Sequence, residues 1–285
     1  MASNTLGIVA GGGELPIAIA LAAQREGRGI FVLALEGMAR VRDIERFPHA
    51  WVSLGELGKA IKHLKNAGCS EVTLAGKVAR PDFATLKLDA RGILALPRVM
   101  AAAMKGDDAL LRALLAIFEK EGMRIVGSAD AAPNLPAPLG ALCKWRPSKD
   151  EDSDILQAIR VVAAMGAHDI GQAAVVCRGL VLAVEAAEGT DAMLARVATL
   201  PSTLRGTSDA RKGVLVKAAK LLQERRVDLP VIGVRTVELV ARAGLAGIAV
   251  EAGAALIVNR SGVAEMADRC GIFVFGFAPE DYARG

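Results

Sequence analysis

Acids that close apolar strands are placed to meet something positive or polar, and this chain has several. In 184-VEAAEGTDAM-193 three carboxylates, Glu185, Glu188 and Asp191, fall within seven residues, among Val, Ala and Met that belong in a core. Glu251 closes GIAVE much as Glu185 closes LVLAVE, and Asp228 heads DLPVIG, a turn whose proline and glycine fix the backbone. Lys212, Lys217 and Lys220 are near in sequence. Strand-end acids gather at one rim of a sheet. With lysines they suit a metal-bound phosphate group, because the metal offsets charge and polarises phosphoryl oxygens. The plainer reading of the same spacing is that Thr190 or Asp191 caps a helix and the glutamates are solvated edges.

The first half carries its own candidates. The loop 10-AGGGELP-16 follows a strand and precedes a helix, so its glycines let backbone N–H groups approach a phosphate. It departs from the dinucleotide fingerprint, because Pro16 stands where the third glycine belongs; Glu36 would be the ribose-binding acid of such a site. A tight strand-to-helix turn explains the glycines equally well. Gly76-Lys77 ends another strand, so Lys77 points at a phosphate or is a surface lysine. In 106-GDDALLRA-113, Asp107 and Asp108 form a metal-ligand pair or cap a helix, and the two uses are compatible.

Much is excluded. The three histidines, His49, His63 and His168, are far apart, so a metal here would take carboxylate oxygens, which points to Mg²⁺ or Mn²⁺. No G-x-S-x-G elbow or Walker pattern occurs. Four scattered cysteines, Cys69, Cys143, Cys177 and Cys270, suggest neither a disulfide framework nor zinc and fit a reducing cytoplasm. A net charge of +4 without basic runs, and 4% aromatics, argue against nucleic acid. No export signal or spanning helix is read, and peripheral membrane contact stays open.

The elements that must position these residues alternate strand and helix through the first half. Strands are expected at Leu6–Ala10, Gly29–Leu35, Ala50–Ser53, Glu71–Ala75 and Arg124–Gly127, with helices at Pro16–Arg25, at Glu56–Ala67, from about Leu94 to Met104 and from after 106-GDD-108 to Lys120. That pattern argues for a Rossmann-like parallel sheet. Prolines 133, 136, 138 and 147 then mark a linker, and Ser148 with Glu151 forms a capping box that opens a helix to about Gly166. The second half mixes strands, helices and a hairpin at Arg178-Gly179; Leu229–Gly233 reads as a turn. The expectation is α/β, with a Rossmann-like domain over 1–130, a linker over 131–150 and a mixed α/β catalytic domain over 151–285.

LGIVAGGGELP, LGELGK, VTLAGKVARP, GDDALLRA, DIGQAAVV, VEAAEGTDAM, KGVLVK, DLPVIG, TVELVARAGLAGIAVEAG and GIFVFG together resemble the LpxI-type UDP-2,3-diacylglucosamine pyrophosphatase family of lipid A biosynthesis, from about residue 6 to 277. The resemblance implies an enzyme at the inner face of the inner membrane that hydrolyses UDP-2,3-diacylglucosamine to UMP and 2,3-diacylglucosamine 1-phosphate. It implies need of a divalent metal, typically Mg²⁺, a homodimer, and two domains with the glycolipid between them. It makes Asp228 the key catalytic acid and a metal ligand or orienter of water, with Glu188 and Asp191 as further catalytic residues. Gly11, Gly12, Gly13, Lys77, Asp107, Asp108, Gln172, Thr190 and Lys217 would bind substrate. One departure stands in 217-KAAKLLQERRVDLP-230: Leu221 replaces the usual proline and Glu224 the usual aspartate, which weakens any role for Lys220 or Gln223. The rival readings are a nucleotide-sugar-binding oxidoreductase and a carrier of the lipid intermediate that leaves it intact.

Overall fold

The first apolar run, Thr5–Ala10 (β1), forms the central strand of a parallel sheet in the computed structural model, which describes residues 5–79, 82–83, 85–220, 224, 226 and 228–282. The chain continues through Leu15–Arg25 (α1), Ile30–Leu35 (β2), Val41–Ile44 (α2), His49–Val52 (β3), Leu57–Asn66 (α3) and Cys69–Ala75 (β4). Ala90–Ala103 (α4), Asp107–Lys120 (α5), Arg124–Ile125 (β5) and Ser128–Ala131 (α6) follow. Strand order is β3-β2-β1-β4-β5, and every pairing is parallel. Strands covered on both faces read as continuous apolar runs rather than alternating ones, and Leu6, Ile8 and Ala10 are fully buried accordingly. Leu33, Leu64, Val72, Leu115 and Phe118 pack into one core cluster, each such side chain contributing about 1.5–3 kcal/mol by leaving water. Glu71 is buried in β4 and bridged by Arg28 and Arg124, which offsets the cost of burying its charge.

The second sheet is mixed. Its elements are Gly140–Ala141 (β6), Lys149–Gly166 (α7), Ala173–Cys177 (β7), Leu180–Val184 (β8), Gly189–Ala198 (α8), Val214–Lys217 (β9), Val231–Ile232 (β10) and Val234–Arg242 (α9). Gly247–Glu251 (β11), Leu256–Ile257 (β12), Arg260–Cys270 (α10), Phe273–Phe277 (β13) and Pro279–Tyr282 (α11) complete it. Strand order is β6-β13-β11-β9-β7-β8, with β10 and β12 as a separate parallel pair. The strands β13, β11 and β9 are parallel, and β6, β7 and β8 each join by an antiparallel edge. Successive residues serve opposite faces: Val175, Leu215 and Ile248 pack with Met193, Val237 and Val263 of α8, α9 and α10, while Val176, Val214 and Ala249 pack with Ile155 and Val162 of α7. The sheet is therefore covered by helices on both sides.

The expected hairpin forms because Arg178 and Gly179 both take positive φ, 52° and 74°, as a tight two-residue turn requires. Buried Asp154 accepts both of their backbone N–H groups, at 2.9 and 2.7 Å. The capping box also forms, with Glu151 accepting the Ser148 N–H at 2.8 Å.

Two segments carry more structure than their composition suggests. Leu229–Gly233, read as a turn, contains β10. The proline-rich stretch from Leu135 onward is woven into the second unit: Ile257 N–H donates to Leu135 O and Gly253 N–H to Ala137 O, at 2.8 and 2.9 Å. Proline removes donors but leaves carbonyls, so such a segment can still accept ladder bonds. The chain divides into two compact units, Met1–Asn134 with Glu224–Asp228, and Leu135–Gln223 with Leu229–Gly285. Among the described residues no helix is long and apolar enough to cross a membrane.

Candidate active site

In the first unit, the loops after β1 and β4 lie side by side at the carboxyl rim of the sheet, where open parallel sheets bind ligands. Gly12 and Lys77 exchange two backbone hydrogen bonds of 2.8 Å, and Gly11 N–H donates to Ala75 O at 2.9 Å. The approach is so close that a Cβ on Gly11 would sit 2.5 Å from Lys77 O. Gly11 and Gly12 thus let two backbones meet, and their amides are already engaged. Gly13 takes φ +94° with open space around it. The Lys77 side chain is exposed at this rim. Glu36, the ribose-binding acid of a dinucleotide reading, instead accepts the Ser53 hydroxyl.

A second group forms where α5 begins. Gly106, not an aspartate, is the N-cap; Asp107 and Asp108 occupy the first turn, where the helix dipole favours negative charge. Asp108 receives Arg112 Nε at 2.7 Å and the backbone N–H of Glu224 at 2.7 Å. This contact raises the Arg112 pKa. Ser128 N–H donates to Arg226 O at 2.7 Å, and Asp228 N–H to Glu224 O at 3.0 Å. Glu224 is buried, and the guanidinium of Arg226 holds its carboxyl below the usual range. Asp228, half-buried, is therefore the end of a turn pinned onto the first unit, although its place in sequence suggests the second. Leu221 and Gln223 lie outside the described residues.

In the second unit, β8, β9 and β11 end at the rim where β7 starts, as the pairs Ala173–Lys217 and Val250–Lys217 show. The expected gathering of strand-end acids occurs there. Lys217 Nζ donates to Thr190 Oγ1 at 2.8 Å and to Val231 O at 3.3 Å, and the Thr190 hydroxyl donates to Glu185 Oε1 at 2.6 Å. Glu185 Oε2 accepts Gln172 N–H at 3.4 Å, and Glu251 Oε2 accepts Ala219 N–H at 2.9 Å. Lys217, Thr190 and Glu185 are all buried, so the relay orders this rim from within.

Glu188 and Asp191 turn outward from the same motif. Glu188 pairs with Arg196 at 3.1 Å, and its pKa is lowered first by its own backbone amide and then by Arg196. Asp191 pairs with Arg235 at 2.8 Å, which raises the Arg235 pKa. Lys220 pairs with Asp169 at 2.6 Å. Sequence reasoning missed Arg112, Arg226 and Arg235 as partners of the candidate acids; no local spacing links Arg235 to Asp191 or Glu224 to Asp108. Only the Asp108–Arg112 pair, four residues apart on one helix, carried a readable signal.

Among the described residues no group of three His, Cys, Asp or Glu side chains converges closely enough to hold a metal ion. The donors do not build an all-protein cage. Mg²⁺ is commonly held by one or two carboxylates together with substrate phosphates, and the Asp228 carboxylate on its fixed turn fits that mode.

Comparison with known proteins bears on what this arrangement serves. The family model for the LpxI N-terminal domain matches residues 5–135, and that for the LpxI C-terminal domain matches residues 138–275. The chain is 50% identical over 276 residues to the UDP-2,3-diacylglucosamine pyrophosphatase LpxI of Caulobacter vibrioides, covering 97% of this chain and 98% of that one. Among solved structures, CobK precorrin-6A reductase aligns over 95% of this chain and 86% of its own at 12% identity and a TM-score of 0.33, a likeness too low to bear on fold or function. With both of its domains matched and half of its residues shared with a named member, the chain belongs to the LpxI family.

Proposed function

We propose that this hydrolase cleaves the pyrophosphate bond of UDP-2,3-diacylglucosamine, giving UMP and 2,3-diacylglucosamine 1-phosphate in lipid A biosynthesis. The observation that carries the reading is the 50% identity, over 97% of this chain, to a relative named for that substrate. The local geometry is compatible with it: a carboxylate on a pinned turn in the first unit, and a buried lysine-threonine-glutamate relay at a strand rim in the second.

Hydrolysis at phosphorus needs an oriented water and relief of charge on the phosphoryl oxygens. In this reading Asp228 accepts a hydrogen bond from the attacking water and holds it in line. The water oxygen bonds to phosphorus as its proton passes to the Asp228 carboxylate and on to solvent, the phosphorus–oxygen bond to UMP breaks, and UMP leaves with the electron pair. Asp228 would hold a Mg²⁺ or Mn²⁺ ion together with the substrate, and that ion would supply charge neutralisation at the phosphates. Lys77, exposed at the strand rim, meets the phosphates, and Thr190 and Gln172 position the rim on which Glu188 and Asp191 stand. A homodimer at the inner face of the inner membrane accompanies this proposal.

The experiment is UMP release from UDP-2,3-diacylglucosamine with Mg²⁺ or with chelator, for wild type and Asp228→Ala. Release that needs metal and falls at least about a hundredfold in a folded variant supports the proposal. Substrate binding without UMP release under any divalent cation overturns it in favour of a carrier.

A further inference from the structure

The helix α4 presents an apolar face that the fold leaves uncovered. Ile93, Leu94, Met100 and the C-cap Met104 are 59%, 82%, 43% and 88% exposed. At 100° per residue they fall with Pro97 in one arc of about 120°. Arg98 and Lys105 border that arc, and α4 itself contains no acidic residue. Neither of these two cations pairs with an acid among the described residues, whereas Arg91, next along the helix, is bound to Glu121. The opposite face is firmly seated: a Cβ on Gly92 would meet Gly55 O at 2.1 Å. The cap Asp89 accepts the N–H groups of Gly92 and Lys59 at 2.8 and 3.0 Å. The helix is held by one side, and the side it offers to its surroundings is apolar with a basic edge.

We propose that this face docks the protein on an anionic membrane surface, with Ile93, Leu94, Met100 and Met104 entering the acyl boundary and Arg98 and Lys105 meeting lipid phosphates. A basic amphipathic face of this kind lies in the plane of an interface, drawn by apolar burial and by charge. A second copy of the chain fits the face less well, since laying α4 on α4 brings Arg98 and Lys105 against their own kind. The inference deepens the proposed function, because a diacylated substrate resides in a membrane.

The test is co-sedimentation with vesicles of phosphatidylcholine, with and without phosphatidylglycerol, for wild type, Leu94→Gln/Met104→Gln and Arg98→Gln/Lys105→Gln, with circular dichroism to check folding. Wild type is expected to bind the anionic vesicles, less so in high salt, and each double variant to bind at least about fivefold more weakly. Equal binding by wild type and both variants overturns the proposal. So does a change of oligomeric state in Leu94→Gln/Met104→Gln, by light scattering, with vesicle binding intact, which assigns the face to a second copy. UMP release from detergent-dispersed substrate separates the two readings. Release without vesicle binding overturns docking alone, and vesicle binding without release overturns hydrolysis alone.

Discussion

Asp108 Oδ1 accepts the backbone N–H of Glu224 at 2.7 Å across 116 residues of sequence, fastening the turn that ends in Asp228 to the start of α5. Two roles for Asp108 are thereby distinguishable. As a substrate ligand its loss would raise KM; as a positioning residue its loss would lower kcat, because under the proposed mechanism a misplaced Asp228 would not hold the attacking water in line. The expectation is that Asp108→Ala lowers kcat about ten- to a hundredfold with KM little changed. It should also cost about 1–3 kcal/mol, since a buried N–H loses its acceptor. Asp108→Asn keeps an acceptor oxygen and should restore most of both. Steady-state kinetics and urea unfolding of the three proteins read this directly.

The buried relay of the second unit sets a different kind of prediction. Thr190 is the middle member: it accepts from Lys217 and donates to Glu185. Thr190→Val keeps the shape and removes the hydroxyl, leaving a buried ammonium and a buried carboxylate each short of a partner. A loss of about 1–3 kcal/mol is expected, whereas Thr190→Ser, which keeps the hydroxyl, should lose less. A thermal unfolding comparison of the two variants checks it, and a larger loss in Thr190→Ser than in Thr190→Val would put the cost on the methyl group instead.

The glycine loop separates close approach from backbone freedom. Gly11→Ala places a methyl group 2.5 Å from a backbone oxygen that cannot swing away, so the bridge between Gly12 and Lys77 must open. Gly13→Ala meets nothing but must hold φ +94°. Overpacking of this kind costs about 1–3 kcal/mol, and a strained left-handed alanine about 1–2. Both variants should be less stable. Only Gly11→Ala should also expose the Gly12 and Lys77 amides to faster hydrogen exchange, and unchanged exchange in that variant would deny the bridge its role.

The strands and helices were legible where local chemistry decides them. Short continuous apolar runs announced the five parallel strands, and Arg178-Gly179 announced its hairpin, since each signal lies within a few residues. The strand-end acids Glu185 and Glu251 also read correctly as one rim, because their pattern repeats along parallel strands. What was not legible depends on contacts distant in sequence. VEAAEGTDAM gives no sign that Glu185 turns in while Glu188 and Asp191 pair outward with Arg196 and Arg235. The glycines of AGGGELP invited a phosphate, yet the amides of Gly11 and Gly12 are taken by Ala75 and Lys77, far along the chain. Asp228 was singled out by its turn, but the acceptor that fastens that turn, Asp108, stood in another motif.

Glu224 carries the pH dependence of this turn. Its carboxyl is held below its ordinary value of 4.5, first by the hydrogen bond from Arg226 and further by Arg112. A group whose folded pKa is depressed stabilises the fold above its unfolded pKa and loses that contribution as pH falls through the folded value. Wild type should therefore lose stability on the acid side of 4.5 as Glu224 takes up a proton. Arg226→Gln removes the main cause of the depression. It should be the less stable protein near neutrality, with the gap to wild type closing as pH falls from about 6 to about 3. Urea midpoints across that range decide it: a gap that stays constant with pH would mean that Arg226 acts through packing alone and not through the Glu224 charge.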